Sequence, residues 1–408
     1  MFHPLINLLL TFGLIVFLLR KKVPLGWVMM AGALTLGLLF QVSIGAQLQT
    51  VRRAIISPVF LQLGIALNII MFLEHILRTK GYLNRILNAL RVLIPNSKIN
   101  IAILPALLGL LPSPGGVLFS APLVAEAGRD LTMTAEEQGL INYWFRHVWE
   151  YFLPLYPSII LAAQILGVPV GTVSLTLAIF FPISIALGFW LIISKLPAPA
   201  SRPVIASGAE KKRALGELLS GVWPVLLTVW LVLSFQWDVG LTVTGVIIVL
   251  LLLNRYRRDD LRTLWKEAFA VPLIYLIAGV LVFKEMLQTS GVVEWLPQYL
   301  RGLGIPDLLI VVCLTFAVGL GVGVTQAFVA ATFPLLLGII GRGAALKPGL
   351  LILAYVSGYA GVLLSPAHFC FALSIDYFEA DLLTFWRKLM LPVGLILGLA
   401  ILLAWFWK

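Results

Sequence analysis

The sequence predicts an all-α polytopic membrane protein built as two inverted repeats, each of five transmembrane helices plus one re-entrant hairpin. Three observations predict it: the composition, a pair of matched breaks in apolar runs, and the placement of the basic residues. The 408 residues are 61% hydrophobic and 12% charged, with a mean hydropathy of +1.03. Soluble domains are far less apolar and carry about twice that share of charge. Many apolar runs reach the ~20 residues that a helix needs to cross a bilayer. A β-barrel would instead show short alternating segments.

The net charge of +11 does not point to nucleic acid. The basic residues lie in short loops between apolar runs, as the positive-inside rule expects. The two cysteines, Cys313 and Cys370, lie in apolar surroundings. They read as small buried hydrophobes, with no disulfide or metal framework.

Taken in order, the apolar spans run over about 4–19, 26–43, 57–77, 138–165, 169–194, 217–236, 240–254, 269–288, 349–373 and 388–407. Met1–Leu19 has no basic region before its apolar run, and Arg20-Lys21-Lys22 follows it. It therefore reads as a first spanning helix with its N-terminus outside, not as a cleaved signal. Residues 196–216 form a polar linker rich in Pro, Ala and Ser, which divides the chain into a first repeat, 1–195, and a second, 217–408.

The halves match each other at a nearly constant offset. Phe72-Leu73-Glu74 parallels Phe283-Lys284-Glu285, Gly81 parallels Gly291, and Pro95 parallels Pro306. Further on, Gly109 pairs with Gly321, Ser113 with Thr325, Ser120 with Thr332, Pro122 with Pro334, and Gly128-Arg129 with Gly341-Arg342. A shared register that includes Glu, Arg, Pro and Gly points to an internal duplication.

Two further apolar regions, about 99–128 and 307–341, are interrupted. The first carries Pro112-Ser113-Pro114-Gly115-Gly116, which cannot be regular helix, because Pro removes backbone donors and Gly relaxes the chain. The second carries Gly-Val-Gly-Val-Thr-Gln at 321–326. If both are hairpins that return to the side they entered from, the cytoplasm receives Arg20 to Lys22, Arg78 to Lys98, Arg129, Lys195 to Arg213, Arg255 to Lys266 and Arg387-Lys388. That is most of the 29 Lys and Arg. Only Arg52, Arg53, Arg301, Arg342, Lys347 and Lys408 fall outside. A spanning first segment would move the basic linker outside, against the rule. The hairpins also give each half an odd number of crossings, so the halves have opposite orientation. Interrupted segments at matching positions of inverted repeats mark the midplane site of a secondary transporter.

Candidate binding residues follow from this arrangement. The first tip offers Ser113, Pro114, Gly115 and Gly116, with Ser120 beyond. The second offers Thr325 and Gln326, with Thr332 beyond. Exposed N–H groups at half-helix ends favour anions, and unwound carbonyls favour Na⁺; Ser113, Gly116, Thr325 and Ser365 are candidate Na⁺ ligands. The span after Glu137 carries Asn142, Arg146 and Glu150 at a spacing of four, on one helical face. Arg146 and Glu150 lie at hydrocarbon depth, where charge is costly and usually serves a pathway or pairs inward. Arg146 can bind an anion, while Glu150 or His147 can carry a proton or help coordinate a cation; a mutually neutralising Arg146–Glu150 pair is the alternative. Pro154 and Pro157 should break this helix, and Ser365-Pro366 should break its counterpart beside His368. Glu74, His75, Lys284 and Glu285 lie near span ends and read as structural pairs.

These segments resemble the ion-transporter superfamily, which includes gluconate permeases, dicarboxylate symporters and Na⁺/H⁺ antiporters. More narrowly, LPSPGGVLFSAPL and GYAGVLLSPAHFC look like a prokaryotic integral membrane family within it, domain of unknown function 401. The resemblance implies an inverted-repeat fold in the cytoplasmic (inner) membrane, with a scaffold and a moving transport part, as a homodimer. It also implies a site at Ser113–Gly116 with Pro154–Ser158, and at Thr325–Gln326 with Ser365–His368. Ser-Pro-Gly-Gly and Val-Thr-Gln stand here in place of the paired Ser-Asn-Thr tips of dicarboxylate symporters, so the resemblance alone fixes neither dicarboxylate selectivity nor Na⁺ coupling.

The expected function is secondary transport of a small organic anion, a carboxylate, coupled to H⁺ or Na⁺. A cation/proton antiporter using Glu150 and His368 is the alternative, with a channel behind it. No enzyme is expected: there is no GxSG motif and no paired Asp in a span, and Asp259-Asp260 lacks a DDxxD pattern. No nucleotide-binding loop is present either. The expected partners are the anion, its coupling ion and the bilayer, with no cofactor beyond Na⁺ in that coupling role.

Overall fold

The structure, a computed structural model, describes residues 4–21, 23–110, 116–128, 131–197 and 206–407, and of Leu118 only the backbone. Among these residues the regular structure is all helical. The first half comprises α1 (Pro4–Arg20), α2 (Leu25–Leu39), α3 (Ile44–Ile56), α4 (Pro58–Thr79), α5 (Tyr82–Leu93), α6 (Ser97–Leu108), α7 (Val117–Ala127), α8 (Ala135–His147), α9 (Pro157–Leu166), α10 (Val170–Leu177) and α11 (Phe180–Leu191). The second comprises α12 (Gly208–Phe235), α13 (Val239–Leu253), α14 (Arg258–Ala268), α15 (Val271–Thr289), α16 (Val292–Gly302), α17 (Asp307–Val322), α18 (Thr325–Ile340), α19 (Pro348–Leu364), α20 (Phe369–Phe378) and α21 (Leu382–Phe406).

Local chemistry sets these boundaries. Ser57 caps α4, accepting from the Phe60 N–H, and Pro58 takes the first helical position, where its missing donor costs nothing. Thr134 with Glu137 and Ser207 with Glu210 form capping boxes that start α8 and α12. Six of the described helical segments are long and apolar enough to cross a membrane. Large side chains such as Leu38, Leu241, Leu252 and Phe406 are exposed along the helices. In water such a surface would associate; in lipid it is the solvent-facing side. The chain is a multi-pass membrane protein.

Four helices lie in stretches that the span pattern leaves as loops: α3, α5, α14 and α16. Each has only 11 to 13 residues, too short to cross, and each mixes charged with apolar positions. A left-handed glycine precedes both α5 (Gly81, φ 73°) and α16 (Gly291, φ 72°).

Three boundaries differ from the sequence expectation. The 169–194 segment bends between α10 and α11 at Ala178-Ile179. Pro182 has no N–H to offer the Ala178 carbonyl, which weakens the helix at this point. The helix α12 begins inside the 196–216 linker, at its Ser207 cap. The last helix starts at Leu382, before 388, because Asp381 caps it through the Thr384 N–H.

The two halves pack into one another. Helix α2 lies on α15 and α13 on α4; α9 packs on α18 and α20 on α7. Gly26 and Gly279 let the α2 and α15 backbones touch, since a Cβ on Gly279 would collide with the Gly26 carbonyl. Small residues are what allow such close crossings in membranes. The four short helices α6, α7, α17 and α18 thereby meet the broken pairs α8–α9 and α19–α20 at the centre of the molecule.

Candidate functional site

Helix α8 ends at His147, a 3₁₀ turn covers Val148–Tyr151, and α9 starts at Pro157. Pro154 and Pro157 enforce this break, since neither can donate to a preceding turn. Glu150 therefore lies in the 3₁₀ turn just beyond α8, the helix that carries Asn142 and Arg146. In the other half α19 stops at Leu364 and α20 resumes at Phe369, with Ser365 and Pro366 between.

The α17–α18 turn lies between these breaks. Gly323 has φ 67°, a conformation that side chains resist. A Cβ there would also meet Ser365 Oγ at 2.9 Å and the His368 backbone nitrogen at 2.6 Å. Ser365 Oγ donates to the Leu320 carbonyl at 2.6 Å, which fixes the α19–α20 break against this turn.

A dense hydrogen-bond network joins the halves here. Thr325 Oγ1 donates to Glu150 Oε2 at 2.9 Å. Tyr355 Oη donates to the Glu150 carbonyl at 2.9 Å and meets Ser158 Oγ at 2.9 Å. Tyr359 Oη donates to the His147 carbonyl at 2.8 Å. Tyr143 Oη reaches the other way, to the Leu363 carbonyl at 2.9 Å. Together these bonds satisfy carbonyls that the broken helices leave without intrahelical donors. The His147 and His368 rings lie in contact, with their Nε2 atoms 3.1 Å apart.

These elements enclose a cavity of about 330 Å³. Its polar lining includes Arg146, His147, Glu150, Ser158, Thr325, Gln326, His368 and Cys370. A second cavity, about 280 Å³, is lined by Glu74, Arg78, Asn84, Gly116 and again Arg146. Arg146 therefore forms part of the partition between the two. A larger void of about 490 Å³ is a groove of apolar side chains such as Phe60, Phe72 and Trp265. Its Asn68 already bonds to Gly64 and Ala270, so it offers little chemistry.

Of the residues singled out from the sequence, Arg146, His147, Glu150, Thr325, Gln326 and His368 meet in the first cavity. Gly116 lines the second, and Ser365 braces the turn from behind. Ser113, Pro114 and Gly115 lie outside the described residues. Ser120 and Thr332 do not reach either cavity: each is buried and bonds to its own helix, at the Val117 and Phe328 carbonyls. Of the candidate Na⁺ ligands, Thr325 lines the first cavity and Gly116 the second. Glu74 pairs with Arg78, His75 with Glu267, and Lys284 with Glu285, at 3.5 to 3.9 Å. Cys370 packs half-buried against the core and also lines the first cavity, whereas Cys313 is exposed on α17. Sequence reading missed Tyr143, Tyr355 and Tyr359, since a tyrosine in an apolar run looks like core packing.

No curated protein matches the chain. A family model, Protein of unknown function (DUF401), matches residues 5–406. The chain belongs to this family.

Proposed function

We propose that the protein is a secondary active transporter of a small organic anion, a carboxylate, driven by H⁺ or Na⁺. The observation that carries this reading is Arg146, buried at membrane depth where the two cavities meet. A guanidinium binds carboxylate in a bidentate fork, and a buried cation on a pathway serves a charged substrate more readily than it serves stability.

The architecture supports alternating access. The two halves repeat the same order of helices, and their contacts are reciprocal: Tyr143 reaches the break of the second half, and Tyr355 reaches that of the first. Gly109 lies against the Arg146 carbonyl as Gly319, two residues before the sequence counterpart Gly321, lies against that of Gly358. We read the halves as inverted repeats. The helices of the α6–α7 pair have 12 and 11 residues, about 16–18 Å each at 1.5 Å per residue. That is short of the ~30 Å hydrocarbon layer, as for a re-entrant hairpin; α17 and α18, with 16 residues each, reach about 24 Å. On the charge argument the Arg78 cavity opens to the cytoplasm and the 196–216 linker is cytoplasmic; the family resemblance implies the prokaryotic inner membrane. A thermal-shift screen of small carboxylates on the purified protein tests binding. Stabilisation by a carboxylate that is lost in Arg146→Ala is expected; stabilisation that survives in Arg146→Ala removes Arg146 from the site.

The facing histidines beside Glu150 favour one second reading, a cation/proton antiporter. A pH dye inside vesicles separates the two: a response to a Na⁺ pulse with no organic anion present selects the antiporter.

A further inference from the structure

The two histidines carry information beyond packing. His147 Nδ1 lies 2.6 Å from the Tyr143 carbonyl, and His368 Nδ1 lies 2.7 Å from the Gly323 carbonyl. A carbonyl oxygen only accepts, so each Nδ1 carries the proton. In the neutral rings each Nε2 is then a bare lone pair, and the two Nε2 atoms face each other at 3.1 Å. Two lone pairs do not hold that position without an electrophile between them. The tetrahedral edge between two nitrogens bound to zinc is about 3.3 Å, from Zn–N distances of ~2.0–2.1 Å. Nδ1–H held by a backbone carbonyl is also the usual orienting contact of a metal-bound histidine.

A thiol completes the set. His147, His368 and Cys370 each offer one ligand atom, and these atoms lie within 4.8 Å of one another. Glu150 Oε1 stands 3.9 Å from His147 Nε2 and supplies a fourth donor. We infer that His147, His368, Cys370 and Glu150 bind a divalent transition cation of the zinc class. Charge supports it: a doubly charged ion with one thiolate and one carboxylate is neutral overall, which removes the cost of a net charge at hydrocarbon depth. Donors of N₂SO type also suit zinc and cobalt better than magnesium or calcium. The ion would link the break of the first half, on α8, to that of the second, ahead of and within α20. The inference does not depend on the transport reading, because binding is measured without a gradient or substrate.

The test is titration of the chelator-treated, detergent-purified full chain with Co²⁺, followed by displacement with Zn²⁺. One equivalent per chain with a thiolate-to-cobalt charge-transfer band is expected. Cys370→Ser should lose that band and bind at least tenfold more weakly, and His368→Gln should lose stoichiometric binding. On the wild-type chain, Zn²⁺ should slow alkylation of Cys370 and leave exposed Cys313 unaffected, read by peptide mass; this arm needs no variant to fold. Absence of stoichiometric Co²⁺, a band that survives Cys370→Ser, or equal alkylation with and without Zn²⁺ would overturn the site. In that case the facing nitrogens share a proton instead.

Discussion

Thr325 Oγ1 donates to Glu150 Oε2 at 2.9 Å, and this one bond ties the turn of the second half to the broken helix of the first. Thr325 is the first residue of α18, and Glu150 belongs to the 3₁₀ turn after α8. Any motion of the α17–α18 pair relative to α8–α9 must break or rebuild it.

Thr325→Val keeps the shape and removes the donor. A hydrogen bond to a charged group is worth about 1.5–3 kcal/mol, which corresponds to a roughly tenfold or larger effect. Initial uptake rates in vesicles should change by about that factor, and Thr325→Ser should return them to the wild-type value. Wild-type uptake by the valine variant would show that the bond has no part in the cycle.

The reciprocal tyrosines should behave alike. Tyr143→Phe leaves the Leu363 carbonyl without its donor, and Tyr355→Phe does the same to that of Glu150. Each buried carbonyl left bare costs about 1–3 kcal/mol. Thermal unfolding in detergent should show similar losses for both variants. A silent change on one side would argue against equivalent roles in the two halves.

Close backbone approaches predict where alanine is harmful. A Cβ at Gly109 meets the Arg146 carbonyl, and one at Gly319 meets that of Gly358, whereas Gly245 has nothing within 4 Å. Gly109→Ala and Gly319→Ala should each cost about 1–3 kcal/mol as overpacking. Gly245→Ala, inside α13, should be neutral or stabilising by about 0.5–1 kcal/mol. Melting temperatures of the three variants check the order.

Much of the frame was legible because proline and glycine write it directly. Pro154, Pro157 and Pro366 break their helices where the sequence expects, and Gly323 marks the second turn. Arg146, His147, Glu150, Thr325 and His368 stood out because polar groups in apolar runs need a reason. Their mutual geometry was not legible. His147 and His368 are 221 residues apart, and only tertiary packing brings them together. The 3₁₀ turn that holds Glu150 has no signature beyond the nearby prolines. Ser120 and Thr332 misled for the opposite reason: a hydroxyl in a helix can bond to its own preceding turn, and nothing in the sequence separates that from ligand binding. The hydroxyl ties of Tyr143, Tyr355 and Tyr359 depend on carbonyls exposed by distant breaks.

The central claim is that an anion passes Arg146. Proteoliposome uptake of radiolabelled small carboxylates, under an imposed proton or sodium gradient, tests it most directly. The account predicts saturable uptake by the wild type that collapses when the gradient is dissipated and falls at least a hundredfold in Arg146→Ala, with partial activity in Arg146→Lys. Unaltered, gradient-dependent uptake by Arg146→Ala would contradict it.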